Sequence, residues 1–475
     1  DAPARLIPFS FNDDDAVILE FTAFLMRVWR YGELVMDGGA PFELATPWGA
    51  AAVARLQWVQ SADVVYIADG TQEPQKLSRF ALDDWSITPL RPDDGPFRPV
   101  NADDAVTVQA DGETGSVTLT ASSAVFAADH VGGLFALRVR DWSETPLWTG
   151  QTVVAQGDRM RYNGQVYEVA DVAGGDTGVN PPVHRQGEAL TQKGGITWRH
   201  LGDDRGVVRI TAVASGTSAT ATVLRRIPWE ITQAGTPLWQ EGAWSDRHGW
   251  PAALAIHEQR LYAAATQRDP STIWASRIGA FESFGGDGPA DAFAYAADGG
   301  RTLNRIVWLA SGQVGLHVGT QGDMLTARST QRLEALTAET FRLSADAGVG
   351  AAPRPPIMPD GRPLFIASDR RRVYEMRYRL DSDAVAPLEL SMPASHLGAE
   401  RFDEIAWQQA PLRLAWIVRS DGSLVLLSHD PDEEVLGWAR LTMAGGAVES
   451  VAIAPGLGGE DQVHLVVART VQGET

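Results

Sequence analysis

The 475-residue sequence predicts an all-β protein, and three observations carry that prediction. Apolar runs are short and interrupted by turn formers, with 47 Gly and 27 Pro in the chain. Period-two alternation of apolar and polar residues recurs, whereas helical periodicity is scarce. Strand–turn–strand patterns also return at a spacing of about 50 residues through the second half, which points to a β-propeller-like core.

The elements follow in order. An N-terminal β region covers 1–110. Within it a short helix is expected at Ala50–Leu56. A first blade follows from Leu56–Trp58, the strand Asp63–Ile67 and Leu77–Phe80, closing at Trp85. Residues 111–228 differ in character. Ser/Thr-rich alternation (Ser116–Thr120, Ser215–Val223), the strand Gly206–Val213 and the turn-rich stretch Gly174–Pro182 predict a small all-β domain inserted in a loop, where no propeller core is interrupted.

Residues 229–475 supply the remaining blades. Arg260–Tyr262 precedes a turn and Thr272–Ala275. Leu316–Val318 turns at Gln321-Gly322 into Met324-Leu325, and Leu364–Ile366 turns near Asp369-Arg370 into Val373-Tyr374. Leu412–Val418 turns through Asp421-Gly422 into Ser423–Leu427, and Val463–Val466 is the last strand. Leu261, Leu316, Ile366, Trp416 and Leu465 are equivalent points in this series. A four-stranded blade buries its faces only by stacking on neighbours, which is why such units come in rings. A second short helix is expected at Ser329–Ala335. Trp58, Trp85, Trp308, Trp407, Trp416 and Trp438 lie in or beside strands and read as blade core.

Composition excludes several classes of chemistry. Without cysteine there is no disulfide or thiolate metal site. No stretch approaches the ~20 apolar residues of a membrane-spanning helix, and the N-terminus lacks a signal-peptide pattern. The formal charge is −20, and positive charge comes almost entirely from Arg, with Lys76 and Lys193 the two lysines. Such a chain is unsuited to gripping phosphate backbones.

His257-Glu258 begins like a zinc-protease helix but has no second His at the required spacing. Asp13-Asp14-Asp15 and Asp430–Glu434 lack the alternation and glycine of a calcium loop and read as solvated turns. With no phosphate-binding loop, dinucleotide fingerprint or nucleophile elbow, no catalytic, cofactor-binding or metal-ligating residue is assigned, and a non-enzymatic role is expected.

Arg5–Asn12, Val17–Phe21, Arg27-Val28-Trp29, Pro41–Pro47 and Gln60–Ile67, in that order, resemble the opening of the tail tubular protein B ("stabilisation") family of short-tailed bacteriophages. Trp250–Ala252, His257–Tyr262, Ile273–Arg277 and the stretch from Val307-Trp308 to Gly319–Asp323 resemble its central blades, so the likeness runs over most of 5–330. Inside the insertion, Tyr162–Tyr167, Gly175–Gly178, Pro181–His184, Gly187 and Gly195–Trp198 resemble a small module of phage tail and fibre proteins.

The resemblance implies a virion protein, a tail nozzle built as a homo-oligomeric ring, commonly a hexamer, below the portal and tail adaptor protein. Such a ring ends the conduit through which DNA is ejected without being specifically bound. It also implies that tail fibres dock on the ring and that relatives extend before Ala4 and beyond Thr475. Thr177, His184 and Trp198 are the candidate contacts to partner protein or glycan, with a scaffold role as their alternative. A propeller that binds or degrades host-surface carbohydrate is the competing reading, since paired carboxylates are abundant and their separation is a tertiary fact.

Overall fold

The computed structural model describes residues 4–12, 15–191, 195–286, 288, 290–297, 305–330, 334–379, 384–456 and 458–469. Asp13, Asp14, Lys193 and the stretch after Arg469 lie outside the described residues, as does the middle of the segment expected to be helical at Ser329–Ala335. The protein is nearly all β and divides into two compact units, one of Asp1–Arg91 with Gly249–Thr475 and one of Pro92–His248.

The first unit holds a propeller-like array of antiparallel sheets. Among the described residues seven sheets follow one another, within 5–45, 57–89, 253–296, 306–347, 364–389, 402–441 and 447–468. Four are four-stranded meanders; the first has five strands and a small two-stranded hairpin beside them, the fifth has three strands, and the seventh is a two-stranded hairpin. Each buries apolar side chains against the next. Phe9 and Phe21 of the first sheet share a core with Val65 and Trp85 of the second. Tyr262 and Ile273 of the third meet Leu316 and Phe341 of the fourth. Trp308 and Met324 meet Phe365 and Tyr374 of the fifth. Ile366 and Val373 meet Ile405 and Leu427 of the sixth, and Val418 and Leu424 meet Val448 and Val451 of the seventh.

Between the second and third sheets the backbones come close. A Cβ on Gly70, which has φ +78°, would lie 2.7 Å from the Cβ of Ala252, so this position needs glycine on both counts. The ring closes where the seventh sheet meets the first. Leu6 and Ile18 pack on Ala452 and Ala454, and the Leu6 N–H donates to Ser450 Oγ at 3.1 Å.

The repeat read from the sequence has a structural basis. Leu261, Leu316, Trp416 and Leu465 each occupy the second strand of their sheet, while Ile366 lies on the first named strand of the fifth. A backbone bridge from Ala351 to Ala367 and a bond from the Ala352 N–H to the Ile366 carbonyl place residues 351–352 where that sheet's inner strand would be. The registration therefore holds at all five points. The helix Ala50–Val53 forms where expected. Of the segment expected to be helical at Ser329–Ala335, the described residues are not helical: Ser329 ends the strand Met324–Ser329, and Glu334 and Ala335 are irregular. Pairing of that strand with Phe341–Ala347 overrides the weak local helix preference.

The second unit encloses the expected insertion and takes in both its flanks. The Arg98 N–H donates to the Glu241 carbonyl, and Val108 and Thr236 exchange backbone bonds at 2.9 Å each. Its main sheet orders the strands Val108–Ala110, Ser116–Ala121, Ser218–Arg225, Arg205–Ser215, Leu134–Arg138 and Trp239–Glu241. Phe135, Leu137, Ile210 and Ala221 centre its core. A smaller sheet orders Arg159–Tyr162, Gln165–Val172, Ile196–Gly202 and Glu188–Leu190. Glu113 joins the two, with Arg159 Nη2 at 3.0 Å and Arg226 Nη2 at 2.9 Å, while Arg159 also reaches Glu168 at 3.1 Å. No helix among the described residues is long and apolar enough to cross a membrane.

Candidate functional site

The small sheet, with the loop between its strands Gln165–Val172 and Glu188–Leu190, carries the three residues singled out in the sequence, and it uses them differently from one another. Trp198 is fully buried among Met160, Tyr167, Val169 and Ile196. Strand alternation turns it inward, with exposed Arg199 on the opposite face. Thr177 is also fully buried. Its hydroxyl donates to the Thr149 carbonyl at 2.6 Å and accepts from the Thr152 N–H at 3.1 Å, and its own N–H donates to the Thr152 carbonyl. Thr177 and Trp198 therefore build the scaffold, and neither presents its side chain to a partner on this unit.

His184 is half-buried. Its ring stands 5.2 Å from that of Tyr167 and 6.4 Å from that of His200, and its carbonyl accepts the Tyr167 hydroxyl at 2.9 Å. Burial, with His184 nearby, pushes the His200 imidazole below the usual histidine range. The tyrosine hydroxyl, pushed up by burial, stays a hydrogen-bond donor at neutral pH. Of the three residues, His184 alone borders the surface.

What the scaffold holds outward is apolar. Leu147, Val153, Val179, Val183 and Leu190 are 60%, 81%, 59%, 72% and 62% exposed. The bonds made by Thr177, with one from the Gln151 N–H to the Gly178 carbonyl, lace the loop around 147–153 to the loop around 176–183. Val153 and Val179 flank this lacing. A Cβ at Gly150 would sit 2.9 Å from the Gly178 oxygen, so the approach requires glycine there. Sequence reasoning missed these valines. Their signal is a β-branched apolar residue in a turn-rich segment, where no periodicity offers it a core-facing position.

In the first unit, a side chain bridges two non-adjacent sheets. Gln57 Nε2 of the second sheet donates to the Val307 carbonyl of the fourth at 2.6 Å. Beside it lie two chambers of about 200 Å³ and about 150 Å³, both lined by Arg5, Arg354 and Glu404. Arg5 Nη1 donates to the Ala54 carbonyl at 3.0 Å, its Nε stands 3.7 Å from Glu404 Oε1, and its guanidinium lies 5.2 Å from the Trp58 ring. Trp58 and Trp407 thus border a chamber, whereas Trp308 and Trp85 are buried blade core.

A larger cleft, about 920 Å³, opens at the hairpin ends of the third and fourth sheets, beside His257, Glu258, Gln313, Arg328 and Glu334. His257 lies on a strand and shares a hydrogen bond with Ser311 Oγ at 2.8 Å, and burial lowers its pKa. Glu258 accepts the Leu336 N–H at 2.8 Å, tying the cleft wall. Among its described lining residues none is Trp, Tyr or Phe, the usual stacking platforms for a sugar ring.

No family model matches the chain, and no curated protein matches it. Two solved structures of AztD from Citrobacter koseri, one described as apo, align over 98% of this chain and 99% of theirs. They do so at 10% identity and a TM-score of 0.29, a likeness too low to carry an argument.

Proposed function

We propose that this chain is a structural subunit of a short-tailed phage tail nozzle, assembling as a homo-oligomeric ring, commonly a hexamer, around the path of the ejected genome. The observation that carries the reading is the pairing of a propeller-like array of sheets with an inserted unit displaying apolar residues on laced loops. Chambers of about 200 Å³ and about 150 Å³ pass no duplex, so a conduit would lie between subunits, with each propeller serving as a stiff wall element. The sequence resemblance points the same way.

In this role the chain works by shape and charge and needs no catalytic group. A net charge of −20 per subunit repels the phosphate backbone, so DNA slides past without being held. The apolar rim around Val153, Val179 and Val183 is the surface suited to a protein neighbour, whether the next subunit, the adaptor or a fibre. The carbohydrate reading gains nothing from the 920 Å³ cleft, whose described lining holds no Trp, Tyr or Phe.

Electron microscopy of the intact particle tests the proposal. Copies ringed at the distal tail and coaxial with the DNA are expected, with an acidic lumen. A peripheral or monomeric position rejects the nozzle role, and a basic lumen rejects the low-friction mechanism.

A further inference from the structure

We propose that the chamber bordered by Trp58 and Trp407 binds a small organic carboxylate, held by Arg5 and Arg354. This inference is independent of the ring-forming reading and rests on the first unit alone.

The charge balance of the chamber is the first argument. Its charged lining residues are Arg5, Arg354 and Glu404, two cations against one anion, inside a protein whose net charge is strongly negative. On this side the two guanidiniums share the one carboxylate of Glu404, while Asp403 and Glu449 line the neighbouring chamber, so an anion bound here would complete the pairing of a buried cation.

Hydrogen bonding is the second. The Arg5 side chain is only 8% exposed, and its Nε has no hydrogen-bond partner. Glu404 Oε1, at 3.7 Å, is beyond hydrogen-bond reach of that nitrogen. Glu404 is meanwhile engaged by the seventh sheet, where its Oε2 accepts the Val451 N–H at 3.1 Å and Ser450 supplies a further bond. Arg354 spends Nε on the Asp403 carbonyl at 2.6 Å and Nη1 on the Pro353 carbonyl at 3.1 Å, leaving Nη2 for a ligand. Burial pushes the Arg5 pKa down to about 10 and lowers that of Arg354, in both cases against the opposing pull of Glu404.

The rest of the lining selects the class of anion. Trp58, Trp407, Pro355, Pro356 and Ile357 give the chamber an apolar wall that an inorganic ion would leave unused. At about 200 Å³ it lies below the ~300–1,000 Å³ of drug-sized sites, so the apolar body must be small, of the order of one ring. A carboxylate meets the paired cations, and a flat apolar body meets the indoles.

Isothermal titration of the whole chain with benzoate, its uncharged amide benzamide and inorganic phosphate tests this. Benzoate is expected to bind saturably at one site, and benzamide and phosphate at least about tenfold more weakly, reflecting the lost charge-assisted bonds and the unused apolar wall respectively. Arg354→Gln is expected to weaken benzoate by about tenfold or more. Trp407→Ala, which leaves both cations in place, is expected to weaken it several-fold, and circular dichroism verifies that each variant is folded. Absence of saturable benzoate binding overturns the proposal, as does benzoate binding that both folded variants leave unchanged. Phosphate binding as tightly as benzoate also overturns it, since the chamber would then be a site for inorganic anions.

Discussion

Nε2 of His429 lies 3.2 Å from Oε1 of Glu375, and the two side chains are 3% and 1% exposed. They join the sixth sheet to the fifth, and Arg377 and Arg362 lie beside the same carboxylate. Burial by itself would raise the Glu375 pKa, but the nearby His429 imidazole and the hydrogen bond from Arg377 outweigh it and hold the carboxyl below its ordinary 4.5.

A depressed carboxylate pKa contributes stability that is complete above the unfolded value and is lost as pH falls through the folded one. The protein should therefore lose stability as the pH drops below about 4.5, and Glu375→Gln should remove part of that slope. At pH 7 the same substitution should cost about 1–3 kcal/mol, since it weakens the pairing of a buried carboxylate with Arg377 and Arg362, which are themselves partly exposed. Urea unfolding at several pH values measures both. An unchanged acid slope in the variant would show that other carboxylates govern acid unfolding.

Gly319 faces the indole of Trp308, and a Cβ there would fall 2.2 Å from Cε2 of the ring. Gly319→Ala should overpack the boundary of the fourth and fifth sheets and cost about 1–3 kcal/mol. Tryptophan fluorescence during chemical denaturation follows the change; a neutral result would mean that Trp308 has room to shift.

Thr177→Val keeps the shape of the side chain and removes its hydroxyl, leaving the Thr149 carbonyl and the Thr152 N–H without that partner. The expected loss is about 1–3 kcal/mol. Amide exchange in 147–153 should quicken at the same time. If stability is unchanged while partner binding falls, Thr177 is a contact and not a lacing residue.

Val153→Asp combined with Val183→Asp places charge on the apolar rim without touching a core. Thermal stability should stay within about 0.5 kcal/mol of the parent, as for other surface changes. Incorporation into particles, scored by complementation and microscopy, should fall sharply. Full incorporation would remove this rim from the assembly interface.

Much of the fold was legible because its signals are local. The hairpin Leu414–Arg419 to Leu424–Asp430 could be read from alternation and the Asp421-Gly422 turn, and Gly422 adopts the positive φ, 74°, that such a turn needs. The candidate contacts were less legible. Trp198 and Thr177 stood out through glycine-rich surroundings that serve the interior of the small sheet. The exposed Val153, Val179 and Val183 look, residue by residue, like core valines. Exposure depends on what the rest of the chain covers, and a loop carries no period from which to infer it.

By itself the sequence determined the β class and the registration of the repeat at Leu261, Leu316, Ile366, Trp416 and Leu465. These follow from alternation and turn chemistry within a few neighbouring residues. Only the tertiary structure decided that the seventh hairpin closes on the first sheet, where Leu6 meets Ser450 across 444 residues of chain. It alone brought Arg5, Arg354 and Glu404 into one chamber. Contacts between residues so far apart depend on how successive sheets twist and stack, and local sequence patterns carry no record of that geometry.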